Sequence, residues 1–441
     1  MISTKNKLSD LSTRLKPQLS QPNYLSAGQI SQQVGLMVES TGPAACQGDQ
    51  VTIKNSEGTS YKAEVVGFRE DKLLLMPVDK LEKLRPGDLV LPSKSGFRIP
   101  VGPQLLGRVI DGMGRPLDGK GPIVSPQSYP IKSPPPSPMN RPRVNEQFVT
   151  GVKTIDSFLS CGKGQRIGIF AGSGVGKSTL LGMVSRNCSA SINVIALIGE
   201  RGKEVLDFIE ESLGEEGLAR SVVVVVTSDQ SALHRVRGAD TAMAVAEYFR
   251  DQGEDVLFVM DSVTRYAMAQ REIGLSAGEP PTTKGYPPSV FGLLPELLER
   301  PGNSHQGSIT AFITVLVEGD DMNDPIADTV RGILDGHILL SRNIAARGLY
   351  PSIDILHSIS RVMKDVTQPE HQALALKLRE IMATYHQAED MINIGAYAPG
   401  SNPQIDQAIQ KNPEIEKFLK QGLNDNVPFE DCINQLLSLV S

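Results

Sequence analysis

The chain is predicted to be an α/β protein with a small N-terminal β-barrel, a central, mainly parallel sheet covered by helices, and a C-terminal helical domain. Three observations predict this. Short apolar runs punctuated by Gly, Asn, Asp and Pro fill residues 25–95. Buried-strand patterns alternate with helical ones from 151 to 360. Leu374, Leu376, Leu378, Ile381 and Met382 then fall at helical spacing in a polar background, marking a helical domain over 361–441. At 441 residues, with 40% hydrophobic and 21% charged residues, the chain has the room and the balance for two or three globular domains.

Residues 1–24 read as a separate segment. Leu8, Leu11 and Leu15 form a stripe with Lys5, Lys7, Arg14 and Lys16 nearby. The stripe fits a short partner-binding helix or a solvated tail, and the residues leave both open. The terminus lacks the apolar core of a secretion signal. In the barrel region the strand candidates are Val34–Glu39, Gln50–Ile53, Ala63–Phe68 and Lys72–Met76, close enough together for a small closed barrel. Residues 96–150 read as a connector. The stretch 107–119 is turn-rich, and Pro134-Pro135-Pro136-Ser137-Pro138 is a stiff spacer.

Within 151–360 the strand candidates are Gln165–Phe170, Ile192–Ile198, Ser221–Val226, Val256–Met260 and Ile309–Val315. The helix candidates are Thr179–Val184, Glu204–Leu213, Thr241–Asp251 and Asp328–Leu334. No apolar stretch is long enough to span a bilayer. The cysteines Cys46, Cys161, Cys188 and Cys432 have neither CxxC nor metal spacing, and read as small packing residues in a reducing cytosol.

Residues 171–179 read Ala-Gly-Ser-Gly-Val-Gly-Lys-Ser-Thr, a phosphate-binding loop between a strand and a helix. Gly172, Gly174 and Gly176, with Ser173 and Val175 between them, let the backbone turn its N–H groups toward phosphate oxygens. Lys177 is placed for the β- and γ-phosphates, Ser178 for Mg²⁺, and Thr179 opens a helix whose positive end faces the anion. Val256–Met260 runs into Asp261, the carboxylate that holds Mg²⁺ in such enzymes. Ile195–Gly199 runs into Glu200, where a group orienting water against the γ-phosphate would stand. Glu204 and Glu272 are weaker rivals for that role. Tyr350 fits either an adenine stack or core packing. Arg361, on a Ser-rich turn, fits either an arginine finger or a surface salt bridge.

Longer blocks carry a resemblance. They are Gly199-Glu200-Arg201-Gly202-Lys203-Glu204-Val205, the run from Asp261 to Glu272, the run from Gly278 to Phe291, and the run from Glu318 to Asp328. They resemble the ATPases of type III protein export, most of all the flagellar form, which are similar to the catalytic subunit of rotary ATP synthases. The resemblance implies a RecA-like ATPase domain and a homohexameric ring that hydrolyses ATP with Mg²⁺ at subunit interfaces. It implies Lys177 and Ser178 on phosphate and Mg²⁺, Glu200 as the catalytic carboxylate, Asp261 beside Mg²⁺ and Tyr350 on adenine. Arg201 and Arg265 would stand near the nucleotide. Arg361 would reach the next subunit's site, where a finger contributes ~10³–10⁵ in rate.

The same resemblance implies partners. A regulatory stator protein would dock on the N-terminal segment. A coiled-coil stalk protein would enter the ring pore near Lys284 and Tyr286. Export chaperone–substrate complexes would meet the C-terminal helices, and the ring would sit in the cytoplasm at the inner-membrane export gate. The Phe170–Lys177 and Asn393–Tyr397 stretches favour flagellar over virulence export. Three other readings are weighed against this one. A rotary synthase subunit needs a second, non-catalytic homologue, whereas this chain carries both Glu200 and Arg361. An RNA-translocating ring is disfavoured by the net charge of −6 and by a barrel region with only Tyr61 and Phe68 for stacking bases. A non-enzymatic scaffold would lose no turnover on Glu200→Gln.

Overall fold

The computed structural model describes residues 27–93, 96–317, 319 and 321–440. The N-terminal segment read as partner-binding lies outside the described residues. The described chain divides into two compact units, at Gly96 and Phe97.

The first unit is the expected barrel. Six strands, β1 (Gly28–Val34), β2 (Met37–Ser40), β3 (Gln50–Lys54), β4 (Ser60–Arg69), β5 (Lys72–Pro77) and β6 (Leu89–Pro92), close in the order β1-β2-β5-β4-β3-β6. Every neighbouring pair is antiparallel. Val38, Val51, Ile53, Val65, Leu75 and Val90 form the interior. One expectation is corrected here. The Val34–Glu39 run is not one strand but the corner of a hairpin, because Gly35 takes a positive φ of 57° and reverses the chain between β1 and β2.

The second unit is built on a large sheet. Two short pairs flank it: β7 (Arg98–Val101) with β9 (Gln127–Pro130), and β10 (Gln147–Phe148) with β11 (Cys161–Gly162). The main sheet runs β19-β18-β12-β17-β15-β13-β14-β8, with β8 at Arg108–Ile110, β12 at Arg166–Ala171 and β13 at Ile192–Glu200. The others are β14 (Ser221–Thr227), β15 (Asp255–Asp261), β17 (Ser308–Leu316), β18 (Gly336–Leu340) and β19 (Ile353–Ser360); β16 (Gly302–Asn303) hangs antiparallel on β17. From β8 to β18 the ladder is parallel, and β19 alone reverses along that path. Parallel strands need both faces covered, and β13 is buried at all nine positions.

The strand at Arg108–Ile110 corrects the connector reading. The turn-rich stretch folds back on itself through a bidentate Arg108–Asp118 pair, at 2.7 and 2.9 Å, and so presents three residues to the sheet edge. That guanidinium holds the Asp118 carboxyl well below the usual carboxylate range.

The expected helices appear, most of them longer or shifted: Lys177–Asn187, Ala232–Asp251 and Pro325–Ile333. The helix expected at Glu204–Leu213 is a short α-turn, Gly202–Asp207, continued by a wider turn at Phe208–Leu213. The C-terminal helices Pro369–Asn393, Pro403–Leu419 and Phe429–Val440 share one core with the sheet, in which Phe158, Leu378, Phe418 and Leu436 join Ile169, Leu257 and Phe312. Cys161, Cys188 and Cys432 are buried free thiols and Cys46 is an exposed one. No helix among the described residues is long and apolar enough to cross a membrane.

A buried ionic cluster fixes the long helix Ala232–Asp251. Arg300 grips Glu247 bidentately at 2.9 and 2.8 Å and donates to the Ile131 carbonyl, while Arg237 pairs with Asp240 at 2.7 Å. Removing one member strands its partner in a dry site. Glu247→Ala is therefore expected to cost about 3–5 kcal/mol in urea unfolding. A loss under 1 kcal/mol would show that water or other groups relieve Arg300.

Candidate functional site

Because β12, β13, β15 and β17 run parallel, the loops that follow them share one edge of the sheet. The 171–179 loop leaves β12 there. Gly174 and Gly176 have φ of 79° and 87°, which side-chain-bearing residues rarely adopt, and Gly176 opens the Lys177–Asn187 helix. Ser173 and Gly174 are exposed at the tip, Val175 is buried, and Ser178 and Thr179 face a cleft of about 790 Å³. That volume is of the size that takes a nucleotide-scale ligand.

Asp261 and Glu200 end β15 and β13, which are neighbours. Lys177 reaches across to both. Its Nζ lies 2.6 Å from Asp261 Oδ1 and 3.7 Å from Glu200 Oε1. Burial pulls the ammonium pKa down, but Asp261 and Glu200 pull it up and prevail. Thr314, near the end of β17, donates to the same Asp261 oxygen at 2.8 Å. Asp261 is thus held by two donors, while Glu200 Oε1 is buried with no hydrogen-bond partner. Burial, with the negative Asp261 beside it, pushes the Glu200 carboxyl up to about 7, against the opposing pull of Lys177. Gly199 lets this corner form. Its φ is 74°, and a Cβ there would stand 3.0 Å from the Arg265 side chain.

The rivals for the role of Glu200 are placed less well. Glu204 lines the cleft but is half exposed and ion-paired with Arg201. Glu272 turns away to Arg235 at 2.6 Å and does not line the cleft. Arg201 lines the cleft with its side chain largely in solvent, and Arg265 lines it with a buried Nε. Tyr350 is 43% exposed, and its ring lies against the phosphate loop, 3.5 Å from where a Cβ on Gly176 would stand. It is therefore a rim residue, not a core tyrosine.

Arg361 is not in this cleft. Reversed β19 carries it to the other end of the sheet, where Ser360 pairs with Gly336 and the Arg361 N–H donates to the Asp335 carbonyl. Leu340, four residues along β18, is level with Ala171 at the loop. That separates Arg361 from its own phosphate loop by more than about 13 Å of strand. Its side chain is exposed there. Tyr286, expected near a stalk partner, is a correction. It is 4% exposed, packed on Phe291 and under the Arg271 guanidinium at 5.0 Å.

Three residues were missed. Thr314 orients Asp261. Thr264 Oγ1 accepts from the Leu316 N–H at 2.9 Å, and Ser352 Oγ donates to the Val175 carbonyl at 2.6 Å. Thr314 shares its largely apolar strand with Ser308 and Thr310, so it carried only a weak signal; Ser352, 177 residues from the loop it pins, carried none.

The loop and its paired carboxylates define a P-loop nucleoside triphosphatase with a parallel-sheet core. Residues 151–360 match the nucleotide-binding domain of the ATP synthase alpha/beta family, residues 30–94 its β-barrel domain, and residues 367–438 the type III secretion EscN ATPase C-terminal domain. The flagellum-specific ATP synthase of Bacillus subtilis is 55% identical over 95% of this chain and 96% of its own length. The type 3 secretion system ATPase of Xanthomonas euvesicatoria is 48% identical over 93% of each chain. The assembled ATPase EscN of the enteropathogenic E. coli type III secretion system superposes with a TM-score of 0.89, at 45% identity over 94% of this chain and all of that one. The chain belongs to the family of flagellum-specific ATP synthases and type III secretion ATPases.

The raised Glu200 has a stability consequence. A carboxyl whose folded pKa exceeds its ordinary 4.5 stabilises the fold below that value, and the contribution is lost as pH rises through about 7. In magnesium- and nucleotide-free buffer, Glu200→Gln is expected to remove this component and so gain on the native chain at pH 8 relative to pH 5. Parallel denaturation curves at both pH values would contradict it.

Proposed function

We propose that this chain is the ATPase of a bacterial flagellar protein export apparatus, hydrolysing ATP in a homohexameric ring to support chaperone release and cargo export. The observation that carries the catalytic reading is the buried, unpartnered Glu200 oxygen 3.7 Å from Lys177 Nζ. A carboxylate with a spare acceptor beside a phosphate loop can orient water for in-line attack.

In this mechanism Lys177 and the loop N–H groups from Gly172 to Thr179 hold the triphosphate. Glu200 accepts the water proton as the new P–O bond forms, and the bond from the γ-phosphorus to ADP breaks. The residues fit Mg²⁺: Ser178 and Asp261 would hold it, and it would neutralise charge on the β- and γ-phosphate oxygens. Tyr350 on the loop's rim would cover adenine, and Arg201 would stand at the cleft mouth. Arg361, at the far edge of its own sheet, would complete the site of the next subunit.

The assembled EscN structures support the ring, and EscN in complex with its central stalk EscO, at a TM-score of 0.87, supports a stalk partner in the pore. With Tyr286 buried, the exposed Lys284 is the better stalk contact in the 278–291 segment. A stator protein on residues 1–24, chaperone–substrate complexes on the C-terminal helices, and attachment at the inner-membrane export gate complete the proposal. The 55% identity to a flagellum-specific relative favours the flagellar form over virulence export.

Glu200→Gln is expected to bind ATP yet lose at least about 10²-fold in turnover, measured by phosphate release. Lys177→Ala is expected to weaken nucleotide binding itself, read by fluorescent-nucleotide titration. Arg361→Ala is expected to bind ATP normally but to lose the rate gain on assembly, of order 10³-fold. Wild-type turnover by Arg361→Ala rings would remove the finger from the mechanism.

A further inference from the structure

The cleft extends well beyond the phosphate loop. Its lining also takes in Arg265, Met268, Arg271, Lys284, Asp324 and Arg342, and Arg271, Lys284 and Asp324, carried by the helix after β15 and by the loops that follow that helix and β17, make up its outer lobe. Among the described residues lining the whole cleft, six are cations and only Glu200, Glu204 and Asp324 are acids, so its field favours an anion throughout. The helix Val263–Ala277 forms one wall. Its residues Arg265, Met268 and Arg271 recur at three-residue spacing on the cleft side, and six residues of helix carry the positive charge about 9 Å outward from the Glu200 corner.

Lys284 and Asp324, which both line this lobe, are joined by an ion-pair strap. Lys284 Nζ lies 3.1 Å from Asp324 Oδ2 and 3.4 Å from Asp321 Oδ2. Asp324 also caps the Pro325–Ile333 helix, so the strap joins two loops from different parts of the sheet edge. Lys284 adopts a left-handed backbone, with φ of 50°, uncommon for a residue with a side chain. Bonds from Thr282 to the Tyr286 carbonyl close the turn around it. Both sides of the strap are partly exposed, and such pairs are weak. An incoming dianion competes readily for the ammonium.

We propose that this outer lobe is an exit subsite for inorganic phosphate, with Arg271 and Lys284 receiving the product and the Lys284–Asp321/Asp324 strap gating its departure. The inference rests on the ATP hydrolysis proposed above. In-line attack from the Glu200 side moves the phosphoryl group away from ADP, toward Glu200 and Arg265. Tyr350 itself does not line this cleft, although Gly176, against which its ring lies, does. Phosphate that leaves by the lobe departs while ADP still occupies the loop, and the 278–286 segment senses its passage.

The test separates chemistry from release in the full chain, using quenched-flow ADP formation and a fluorescent phosphate sensor over the first turnover. Arg271→Gln and Lys284→Gln are expected to form ADP within about twofold of the native rate but to release phosphate about fivefold or more slowly. Lys284→Arg is expected to restore release. Asp321→Asn, which loosens the strap, is expected to speed it. ADP formation and phosphate release that slow in step, or release unchanged in both Gln variants, would overturn the exit subsite. Native chain that forms no ADP at all would overturn the ATPase reading and the exit with it.

Discussion

One ammonium between two carboxylates organises the second unit. Lys177 sits at the start of a helix after β12, Asp261 ends β15, and Glu200 ends β13. Bringing one positive and two negative groups together in a buried corner is costly unless each is answered. Asp261 is answered twice, by Lys177 and Thr314, and Glu200 by the longer approach to Lys177 and the charge of Arg265. The unequal shares make the two carboxylates chemically different although they are neighbours. Glu200 holds its proton to about neutral pH and keeps an acceptor in reserve. A phosphate that draws Lys177 toward itself alters both at once, so ligand binding and the state of the base are coupled through a single side chain.

The parallel sheet makes that corner possible, and its single reversal along the main path carries Arg361 away from it. Strands running the same way deliver every loop to one edge, which is why a loop, two carboxylates and Thr314 converge without any long connection crossing the site. β19 runs the other way. It starts beside the loop, where Ser352 grips Val175, and ends on the opposite edge with Arg361. One strand therefore ties both ends of the unit together: its start shapes this chain's phosphate loop and its end presents an arginine outward.

Much of this was legible in the sequence, for a physical reason. Phosphate binding needs glycine conformations and a lysine at fixed spacing, so residues 172–179 declare themselves; buried parallel strands need uninterrupted apolar runs, so β13, β14, β15 and β17 were found nearly to their ends. What stayed hidden was set by tertiary contact. The strand Arg108–Ile110 is too short for a pattern and exists because Arg108 and Asp118 close its turn. The burial of Tyr286 depends on Arg271 and Phe291 meeting it. Ser352 acts on a loop far away in sequence, through a bond that only the folded sheet creates.

The division of labour around the cleft follows from how charge is held. Deep groups are fixed by buried partners and by backbone: Lys177 by Asp261, Asp261 by Thr314, the loop by Ser352. Outer groups are held by exposed pairs, Arg201 to Glu204 and Lys284 to Asp321 and Asp324. Buried pairs resist rearrangement, whereas exposed ones exchange partners at little cost. A rigid interior suits positioning for attack, and a loose periphery suits admitting and releasing anions.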